Sequence, residues 1–210
     1  MDFTDAKVMD YLHKAQPSDH PVLAEMEARA KREGFPAIGP LVGRTCALLA
    51  QAAGARRVFE CGSGFGYSTF WFARAVGKQG EVVHTEMSPE LSTQARSYLA
   101  RAKLADRVDF RLGDAVDLLR RDAETWDVVF IDVDKEQYPK AWEAAAERVR
   151  KGGLILTDNT LWSGKVADPA VKDKATKGVR AYNKAALADE RFVTTILPLR
   201  DGVTVSLRLN

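Results

Sequence analysis

Two short acidic segments are the parts of this sequence best suited to bind a cation. Asp132 opens the segment DVDK after one apolar run, and Asp158-Asn159 follows a second apolar run. Carboxylate and amide oxygens are hard ligands, which suit magnesium, manganese or calcium and do not suit zinc or copper. The three side chains are therefore a candidate metal site if the fold brings them together. Helix capping and solvation in turns are the alternative roles for each acid taken alone.

A glycine-rich turn is the second group of residues that predicts chemistry. The segment from Glu60 to Gly66 reads ECGSGFG and lies between a strand-like apolar run and a helical pattern. Glycine allows the backbone to turn tightly and to approach a ligand closely. Glu86 ends the next strand-like run 20 positions after Gly66, where an acid can accept hydrogen bonds from both hydroxyls of a ribose. The pattern predicts a nucleoside-cofactor site, and an ordinary tight turn with an incidental acid is the alternative.

The spacing inside this turn argues against a dinucleotide. The fingerprint GxGxxG requires a third glycine where this sequence has Tyr67, and that glycine allows the close helix–strand packing of a pyrophosphate site. An NAD-dependent oxidoreductase is accordingly the least favoured of the enzyme interpretations.

The elements that must position these residues alternate between helix and strand. Apolar residues recur at helical spacing near the start of the chain until Pro17 interrupts the pattern. The pair Ser88-Pro89 is typical of a helix start. Helices are predicted over residues 4–34 with a break at Pro17, 40–53, 67–76, 89–103 and 136–150, and strands over 57–61, 81–86, 108–112, 127–132 and 154–158.

This alternation predicts a parallel sheet built from right-handed βαβ units. The C-terminal segment differs, because residues 193–199 and 203–209 flank the turn Asp201-Gly202 in the manner of a β-hairpin. We therefore expect a doubly wound, Rossmann-like α/β fold of seven strands that ends in an antiparallel hairpin. One domain is expected over residues 1–210, with residues 1–54 as its N-terminal helical decoration.

The predicted topology bears directly on the candidate metal site. Ligands of open α/β sheets bind beyond the carboxyl ends of the strands. If the fourth and fifth strands are neighbours, Asp132, Asp158 and Asn159 meet at one edge of the sheet. Carboxylates that meet there would repel each other, which gives a cation an evident role.

The composition is typical of a globular chain. Its 210 residues are 46% hydrophobic and carry a net charge of +2, which excludes an intrinsically disordered protein. Cys46 and Cys61 have neither a disulfide framework nor a zinc-ligand spacing, so we expect a reducing, cytoplasmic setting. The segment MDFTDAKVMDYLHK lacks the apolar core of a signal peptide, and no apolar run approaches the roughly 20 residues of a membrane span.

Two motifs together resemble a known enzyme family. The spacing GxGxG preceded by an acid resembles the first motif of class I S-adenosylmethionine (SAM)-dependent methyltransferases, and the C-terminal hairpin resembles the end of their fold. The segments FIDVDKEQY and LILTDNTLWSGKV resemble the metal-dependent O-methyltransferases of the catechol and caffeoyl-coenzyme A type. The likeness continues through Arg180–Asn183 and Leu199–Gly202 and covers roughly residues 20–210.

The resemblance implies SAM as cofactor and a divalent cation, with Mg²⁺ expected first and Mn²⁺ or Ca²⁺ as alternatives. It implies Asp132, Asp158 and Asn159 as metal ligands, with Lys135 as the general base beside Asp132. Lys135 and Trp162 would contact the substrate, although Trp162 also fits an ordinary half-buried aromatic residue. The implied cofactor contacts are Glu60, Gly62, Gly64, Gly66, Tyr67, Ser68, Glu86, Met87, Asp114, Ala115 and Asp132, where Asp114 fits a helix N-cap equally well.

The expected reaction is methyl transfer from SAM to one hydroxyl of a catechol-like, vicinal dihydroxy aromatic molecule. Two adjacent hydroxyls can chelate a cation, which orients one of them toward the methyl group. Lys135 can take the hydroxyl proton only if it is neutral beforehand. The resemblance also implies a homodimer.

An RNA substrate is the main alternative, because some relatives methylate a hydroxyuridine of tRNA. Residues 165–184 contain six basic side chains that could meet phosphates. A solvated helix face is the other interpretation of this basic run, and nucleic acid is the less expected partner.

Overall fold

The computed structural model describes residues 5–209. The predicted helix start at residue 4 and the ends of the predicted domain, residues 1–4 and 210, lie outside the described residues. Within them the predicted architecture is confirmed, as a seven-stranded sheet has helices on both faces.

The sheet has the strand order β3-β2-β1-β4-β5-β7-β6. Strands β1 to β5 pair parallel with one another, and β7 pairs antiparallel with both β5 and β6. Successive strands are added outward from β1 in one direction as far as β3, and β4 then lies on the other side of β1. The carboxyl ends of β1 and β4 therefore adjoin at the topological switch point, where such sheets bind ligands. The strands are β1 (Arg57–Cys61), β2 (Glu81–Glu86), β3 (Val108–Leu112), β4 (Trp126–Ile131), β5 (Val149–Thr157), β6 (Phe192–Leu197) and β7 (Val203–Arg208).

The helices begin and end largely where local signals predict. Ser88 accepts a hydrogen bond from the Leu91 N–H at 3.2 Å, and Pro89 follows in the first turn. No helix within residues 5–209 is long and apolar enough to span a membrane. The helices are α1 (Ala6–Ala15), α2 (Pro21–Glu33), α3 (Gly39–Ala52), α4 (Tyr67–Ala75), α5 (Pro89–Arg101), α6 (Ala115–Arg121), α7 (Tyr138–Arg148) and α8 (Lys174–Ala188).

Each face of the sheet contributes to a separate apolar core. Alternate residues of a strand point to opposite faces, so Val58 packs against α2–α5 and Phe59 against α6–α8. Both side chains are fully buried. Because the central strands are covered on both faces, their sequences are nearly continuous apolar runs.

The fifth strand begins earlier than predicted. A helix to residue 150 and a strand from Leu154 were expected, but α7 ends at Arg148 and β5 starts at Val149. The pairing of β4 with β5 shifts register between Val128 and the strand start, and Gly152 adopts φ +69°. The Lys151–Gly153 segment is therefore an irregularity inside one long strand.

The hairpin turn is longer than the predicted two residues. The strands stop at Leu197 and restart at Val203, which leaves five residues between them. Arg200 adopts a left-handed φ of +54°, and the Gly202 N–H donates to the Leu199 carbonyl at 2.9 Å. The side chain of Asp201 accepts hydrogen bonds from Asn159 and Ser163 in the loop after β5. These contacts explain why the turn is longer than a two-residue turn.

Candidate active site

A cavity of about 550 Å³ lies at the carboxyl ends of the central parallel strands. The predicted cofactor, metal and substrate residues on its wall come from five separate segments of the chain. Three predicted residues, Glu60, Gly66 and Asp158, are absent from the wall that the described residues form. The predicted residues on the wall are Gly62, Gly64, Tyr67, Ser68, Glu86, Met87, Asp114, Ala115, Asp132, Lys135, Asn159 and Trp162.

The glycine turn is tightly fitted against the end of β4. Gly62, Gly64 and Gly66 all adopt positive φ values of +86°, +52° and +88°. A Cβ on Gly62 would lie 2.4 Å from the Asp132 carbonyl oxygen, so a larger residue at that position would displace one of the two segments. Gly66 packs instead against α5, where its Cβ would lie 2.8 Å from Ala95 Cβ. Its contribution to the site is this close helix packing.

The first turn of α4 faces the cavity with free backbone donors. Its N-cap, Gly66, has no side chain to accept from the first N–H groups, so they are available to an anion such as a carboxylate. Ser68 is buried, with its hydroxyl toward Glu60. Tyr67 lines the cavity through its ring, while its hydroxyl donates to Glu27 of α2 at 2.6 Å.

Glu86 and Met87 form the wall at the end of β2. One carboxylate oxygen of Glu86 accepts from the backbone N–H groups of Met87 and Ser88, both at 2.9 Å. These two hydrogen bonds fix the orientation of the carboxylate and leave its second oxygen available to a ribose hydroxyl. Met87 is 71% exposed although it is apolar, which fits a side chain that covers a flat ligand.

Asp114 is the N-cap of α6 and also lines the cavity. Its Oδ1 accepts from the Asp117 N–H at 3.0 Å as the N-cap of α6, and Oδ2 accepts from Gln137 Nε2 at 3.3 Å. Asp114 and the buried Ala115 also line the cavity. The N-cap interpretation is thus confirmed, and the side chain remains within reach of a cavity ligand.

Lys135 and Asp132 form an ion pair on the cavity wall. Asp132 directly follows β4, and Lys135 Nζ donates to its Oδ1 at 2.9 Å and to the Val133 carbonyl at 3.3 Å. The lysine side chain is 12% exposed. Its Nζ lies 4.8 Å from the ring centre of Tyr138 and 5.6 Å from that of Trp162. A cation so enclosed can exchange a proton with a ligand in the cavity.

Asp158 adjoins Asp132 as the pairing of β4 with β5 requires. The Asp158 N–H donates to the Ile131 carbonyl at 3.2 Å, and its own carbonyl accepts from the Tyr138 hydroxyl at 2.8 Å. The Asp158 carboxylate is buried, and its Oδ1 has no hydrogen-bond partner among the described residues. Burial and, to a smaller extent, the neighbouring Asp132 carboxylate together raise the pKa of Asp158 to about 7.

The donor set fits a hard divalent cation that keeps other oxygen ligands. No group of three or more histidine, cysteine, aspartate or glutamate side chains that could hold a metal occurs within residues 5–209. The predicted set contains two carboxylates and the Asn159 amide, whose nitrogen donates to Asp201 at 3.4 Å and leaves its oxygen available. Mg²⁺ is commonly bound through one or two carboxylates together with water and substrate oxygens. An unpartnered buried oxygen on Asp158 is consistent with such a site.

The loop after β5 contains unusual backbone. Asn159, Trp162 and Ser163 are non-glycine residues with φ values of +54°, +48° and +52°. Such residues cost roughly 1–3 kcal/mol each and persist only where other contacts hold them. Asp201 is one such contact, because its Oδ1 accepts from the Ser163 N–H.

Glu60 lies behind the glycine turn in a buried polar cluster. Its Oε2 accepts from Thr69 at 2.5 Å and from Ser63 at 3.3 Å, and Thr69 is 3.1 Å from His84 Nδ1. Burial raises the pKa of Glu60 to about 7 and lowers that of His84 to about 4. The cluster supports the turn from beneath, and Glu60 has no direct access to the cavity.

Sequence reasoning assigned no role to several residues on the cavity wall. Phe35, Gln137, Arg200 and Asp201 all line it. Arg200 also binds the Ala37 carbonyl at 2.7 Å, which joins the hairpin turn to the N-terminal helices. Phe35, Arg200 and Asp201 come from loops, where periodicity has no signal, although Arg200 and Asp201 belong to a segment that resembled the family. Gln137 ends a short helical turn, where periodicity does not mark a cavity residue.

The basic run of residues 165–184 includes α8 and the loop before it. Lys165, Lys172, Lys174, Lys177 and Lys184 are exposed. Arg180 instead points its guanidinium inward to backbone carbonyl groups. The predicted run thus loses one of its six cations to a structural contact.

Comparisons with known proteins agree with this arrangement. A family model described as O-methyltransferase matches residues 13–209. The chain is 35% identical over 187 residues to a catechol O-methyltransferase of Niastella koreensis, covering 86% of this chain and 84% of that protein. It is 34% identical over 169 residues to a probable caffeoyl-CoA O-methyltransferase of Dictyostelium discoideum, covering 78% and 74%.

A solved structure supports the same assignment. The O-methyltransferase of Bacillus cereus, in complex with SAH, superimposes with a TM-score of 0.86 at 31% identity, and the match covers 96% of this chain and 97% of that one. The family predicted from the two motifs is confirmed, and the chain belongs to the class I SAM-dependent O-methyltransferases.

Proposed function

We propose that this enzyme methylates one hydroxyl of a vicinal dihydroxy aromatic small molecule, with SAM as methyl donor and a divalent cation, Mg²⁺ first, as cofactor. The observation that carries the proposal is the meeting of Lys135, Asp132 and Asn159 with the glycine turn and Glu86 in one cavity. The relatives named catechol O-methyltransferase and probable caffeoyl-CoA O-methyltransferase support this class of acceptor.

Asp132, Asp158 and Asn159 would hold the cation. Asp158 would contribute the buried oxygen that lacks a hydrogen-bond partner. When bound, the cation lowers the pKa of a neighbouring hydroxyl, and SAM supplies a methyl group on a sulfonium. Two carboxylates side by side are costly to bury without such a positive charge.

Lys135 would remove the proton from the acceptor hydroxyl at its Nζ atom. Its present partner, Asp132 Oδ1, is also a proposed metal ligand, so the two roles of that oxygen compete. If Asp132 bound the metal, Nζ would lose its ion-pair partner and could release one proton to solvent. The resulting neutral amine could then accept the proton of the acceptor hydroxyl. A positioned base of this kind contributes roughly 10²–10⁴-fold to rate.

The cofactor would lie along the glycine turn. The first-turn N–H groups of α4 would bind its carboxylate, and Glu86 would accept from its ribose hydroxyls. Trp162 would form a wall of the acceptor pocket. Enclosure of the reacting groups excludes water, which strengthens the interactions that orient them.

The test is methyl transfer from SAM to a panel of catechols, with Mg²⁺ and with excess chelator. We expect turnover that the chelator abolishes and Mg²⁺ restores. Asp158→Asn should lose at least 10-fold in kcat at fixed Mg²⁺. Asp117→Asn is the matched control, because Asp117 is an exposed carboxylate on α6 that lies outside the proposed ligand set and the cavity wall.

Two outcomes would contradict parts of the proposal. Turnover that resists the chelator would exclude the metal. SAM binding without turnover on any catechol, but with turnover on a hydroxyuridine-containing tRNA, would exclude the aromatic acceptor. A homodimer and a cytoplasmic location stay predictions from the sequence.

A further inference from the structure

The loop between β5 and α8 is held by one arginine of α8. We define the acceptor loop as residues 159–171, which include the proposed metal ligand Asn159 and the cavity residue Trp162. The guanidinium of Arg180 donates from Nε to the Val166 carbonyl at 3.0 Å and from Nη1 to the Val171 carbonyl at 2.7 Å. Its Nη2 donates to the carbonyls of Lys165, at 2.8 Å, and Asp168.

No other side chain could replace this set of contacts. A guanidinium has five N–H donors in a fixed planar fork, whereas a lysine ammonium has three donors at one point. The four carbonyls span residues 165–171 and converge on one group, so Arg180 closes the loop as a cross-link would.

The loop needs such a contact because its backbone is strained. Trp162, Ser163 and Gly164 adopt positive φ values in succession. Most of the loop from Ser163 to Ala170 is exposed, so apolar packing contributes little to holding it. Asp201 holds the near end of the loop through the Ser163 N–H, and Arg180 holds the far end.

Helix α8 is a rigid support for this contact. Val179 and Tyr182, on either side of Arg180, are fully buried. The Tyr182 hydroxyl donates to Thr157 Oγ1 at 2.8 Å, and Asn183 donates to the Thr160 carbonyl at 2.8 Å. The helix is thus tied to the end of β5, next to Asp158.

We propose that Arg180 is a positioning residue, which keeps the acceptor loop in its strained conformation and thereby holds Trp162 against the acceptor pocket. The part that concerns acceptor binding rests on the proposed function. The part that concerns the loop does not. Because the cofactor contacts come from α4, β2 and α6, loss of Arg180 affects the acceptor and leaves cofactor affinity unchanged.

The first test measures the loop without any substrate. Wild type, Arg180→Ala and Arg180→Lys are digested with trypsin under native conditions, and the fragments are identified by mass. We expect cleavage after Lys165 to be at least 10-fold faster in both variants. Arg191→Ala is the matched control, since Arg191 pairs with Asp189 and Glu147 away from the loop, and it should be cleaved there at the wild-type rate.

The second test separates acceptor from cofactor. In both Arg180 variants the KM for the best catechol should rise at least 10-fold, while the Kd for SAH stays within 2-fold of wild type. Guanidinium chloride at a concentration too low to denature should partly restore KM in Arg180→Ala. Urea at the same concentration should not, because it carries no charged planar fork.

The results that overturn the inference differ from those that overturn the proposed function. Wild-type cleavage after Lys165 in a folded Arg180→Lys or Arg180→Ala protein would show that the arginine does not hold the loop. An equal loss of SAH and acceptor affinity would show a general structural role. If the wild type methylates no catechol, the proposed function fails, and the digestion still decides whether Arg180 holds the loop.

Discussion

The chemistry of this site depends on how a few charged side chains share partners. Lys135 donates to Asp132, Asp132 adjoins Asp158, and Asp158 is buried with an oxygen that has no partner among the described residues. Of these three groups, Asp158 therefore leaves an interaction unmet. An unsatisfied buried group is expensive in free energy, and a cation bound beside Asp158 would relieve that cost.

Replacement of Lys135 by alanine should separate chemistry from binding. We expect kcat to fall by roughly 100-fold or more, since a positioned base is lost, while the Kd for SAH changes less than 2-fold. Steady-state kinetics and calorimetry measure the two quantities. Lys140→Ala, at an exposed lysine on α7, is the control and should leave both unchanged. Retention of wild-type kcat at neutral pH would exclude Lys135 as the base.

Glu60 should give the protein a measurable dependence of stability on pH. Its pKa is about 7 in the folded state because of burial, against an ordinary value of 4.5. Between these values the folded state binds more protons than the unfolded state, so this contribution to stability is full below pH 4.5 and is lost as pH rises through 7. The loss is roughly 3–4 kcal/mol from the size of the shift.

Glu60→Gln replaces the ionisable carboxyl group with a neutral amide of nearly the same shape. The variant therefore lacks this loss of stability at rising pH. We expect the free energy of unfolding of the variant, relative to wild type, to rise between pH 5 and pH 8. Urea denaturation at a series of pH values measures it, and the contributions of His84 and Asp158 cancel in the comparison. Glu190→Gln, at an exposed position, should show no such trend. A pH-independent difference between Glu60→Gln and wild type would mean that Glu60 is ionised throughout.

At the scale of elements, the position of Lys135 depends on how closely α8 approaches it. Gly178 of α8 packs against the short helical turn Lys135–Gln137, and a Cβ on Gly178 would lie 2.2 Å from the Lys135 carbonyl oxygen. The helix that carries Arg180 thus also sets the backbone of the proposed base. Only glycine permits this approach.

Gly178→Ala should therefore reduce activity through a shift of Lys135. We expect a loss of about 1–3 kcal/mol of stability from overpacking and a roughly 10- to 100-fold fall in kcat, because small misplacements of a reacting group are costly. Ala181→Gly, at an exposed position on the same helix, should lose about 1 kcal/mol of stability and keep wild-type kcat. A Gly178→Ala protein with full kcat would show that the packing does not position Lys135.

At the scale of the whole molecule, the sheet brings the proposed cofactor region and the proposed acceptor region to one edge. The cofactor region draws on the ends of β1, β2 and β3 and the segments that follow them, whereas the acceptor region draws on β4, β5 and the hairpin turn. Strand β7 brings the hairpin turn to the cavity, because β7 pairs with β5. Asp201 of that turn accepts a hydrogen bond from the Ser163 N–H.

Cofactor binding should stabilise the whole fold. A ligand at 100 times its Kd adds about 2.7 kcal/mol, which corresponds to a rise in Tm of roughly 5–10 °C for a chain of this size. We expect SAH to give this rise in a thermal-shift assay and NAD to give none. Glu86→Ala should abolish most of the SAH shift. A shift with NAD instead would favour the oxidoreductase interpretation.

The sequence by itself determined the order of the strands, the glycine turn, the place of Glu86 at the end of β2 and the acids after β4 and β5. These are local signals, because periodicity, turn chemistry and strand ends depend on neighbouring residues along the chain. Tertiary structure alone decided that Glu60 is buried behind the turn and that one carboxylate oxygen of Asp158 has no hydrogen-bond partner among the described residues. It also decided that the guanidinium of Arg180 bonds to backbone carbonyls of a loop. Those environments are created by elements far apart in sequence, and the burial and charge that define them arise only when the elements pack.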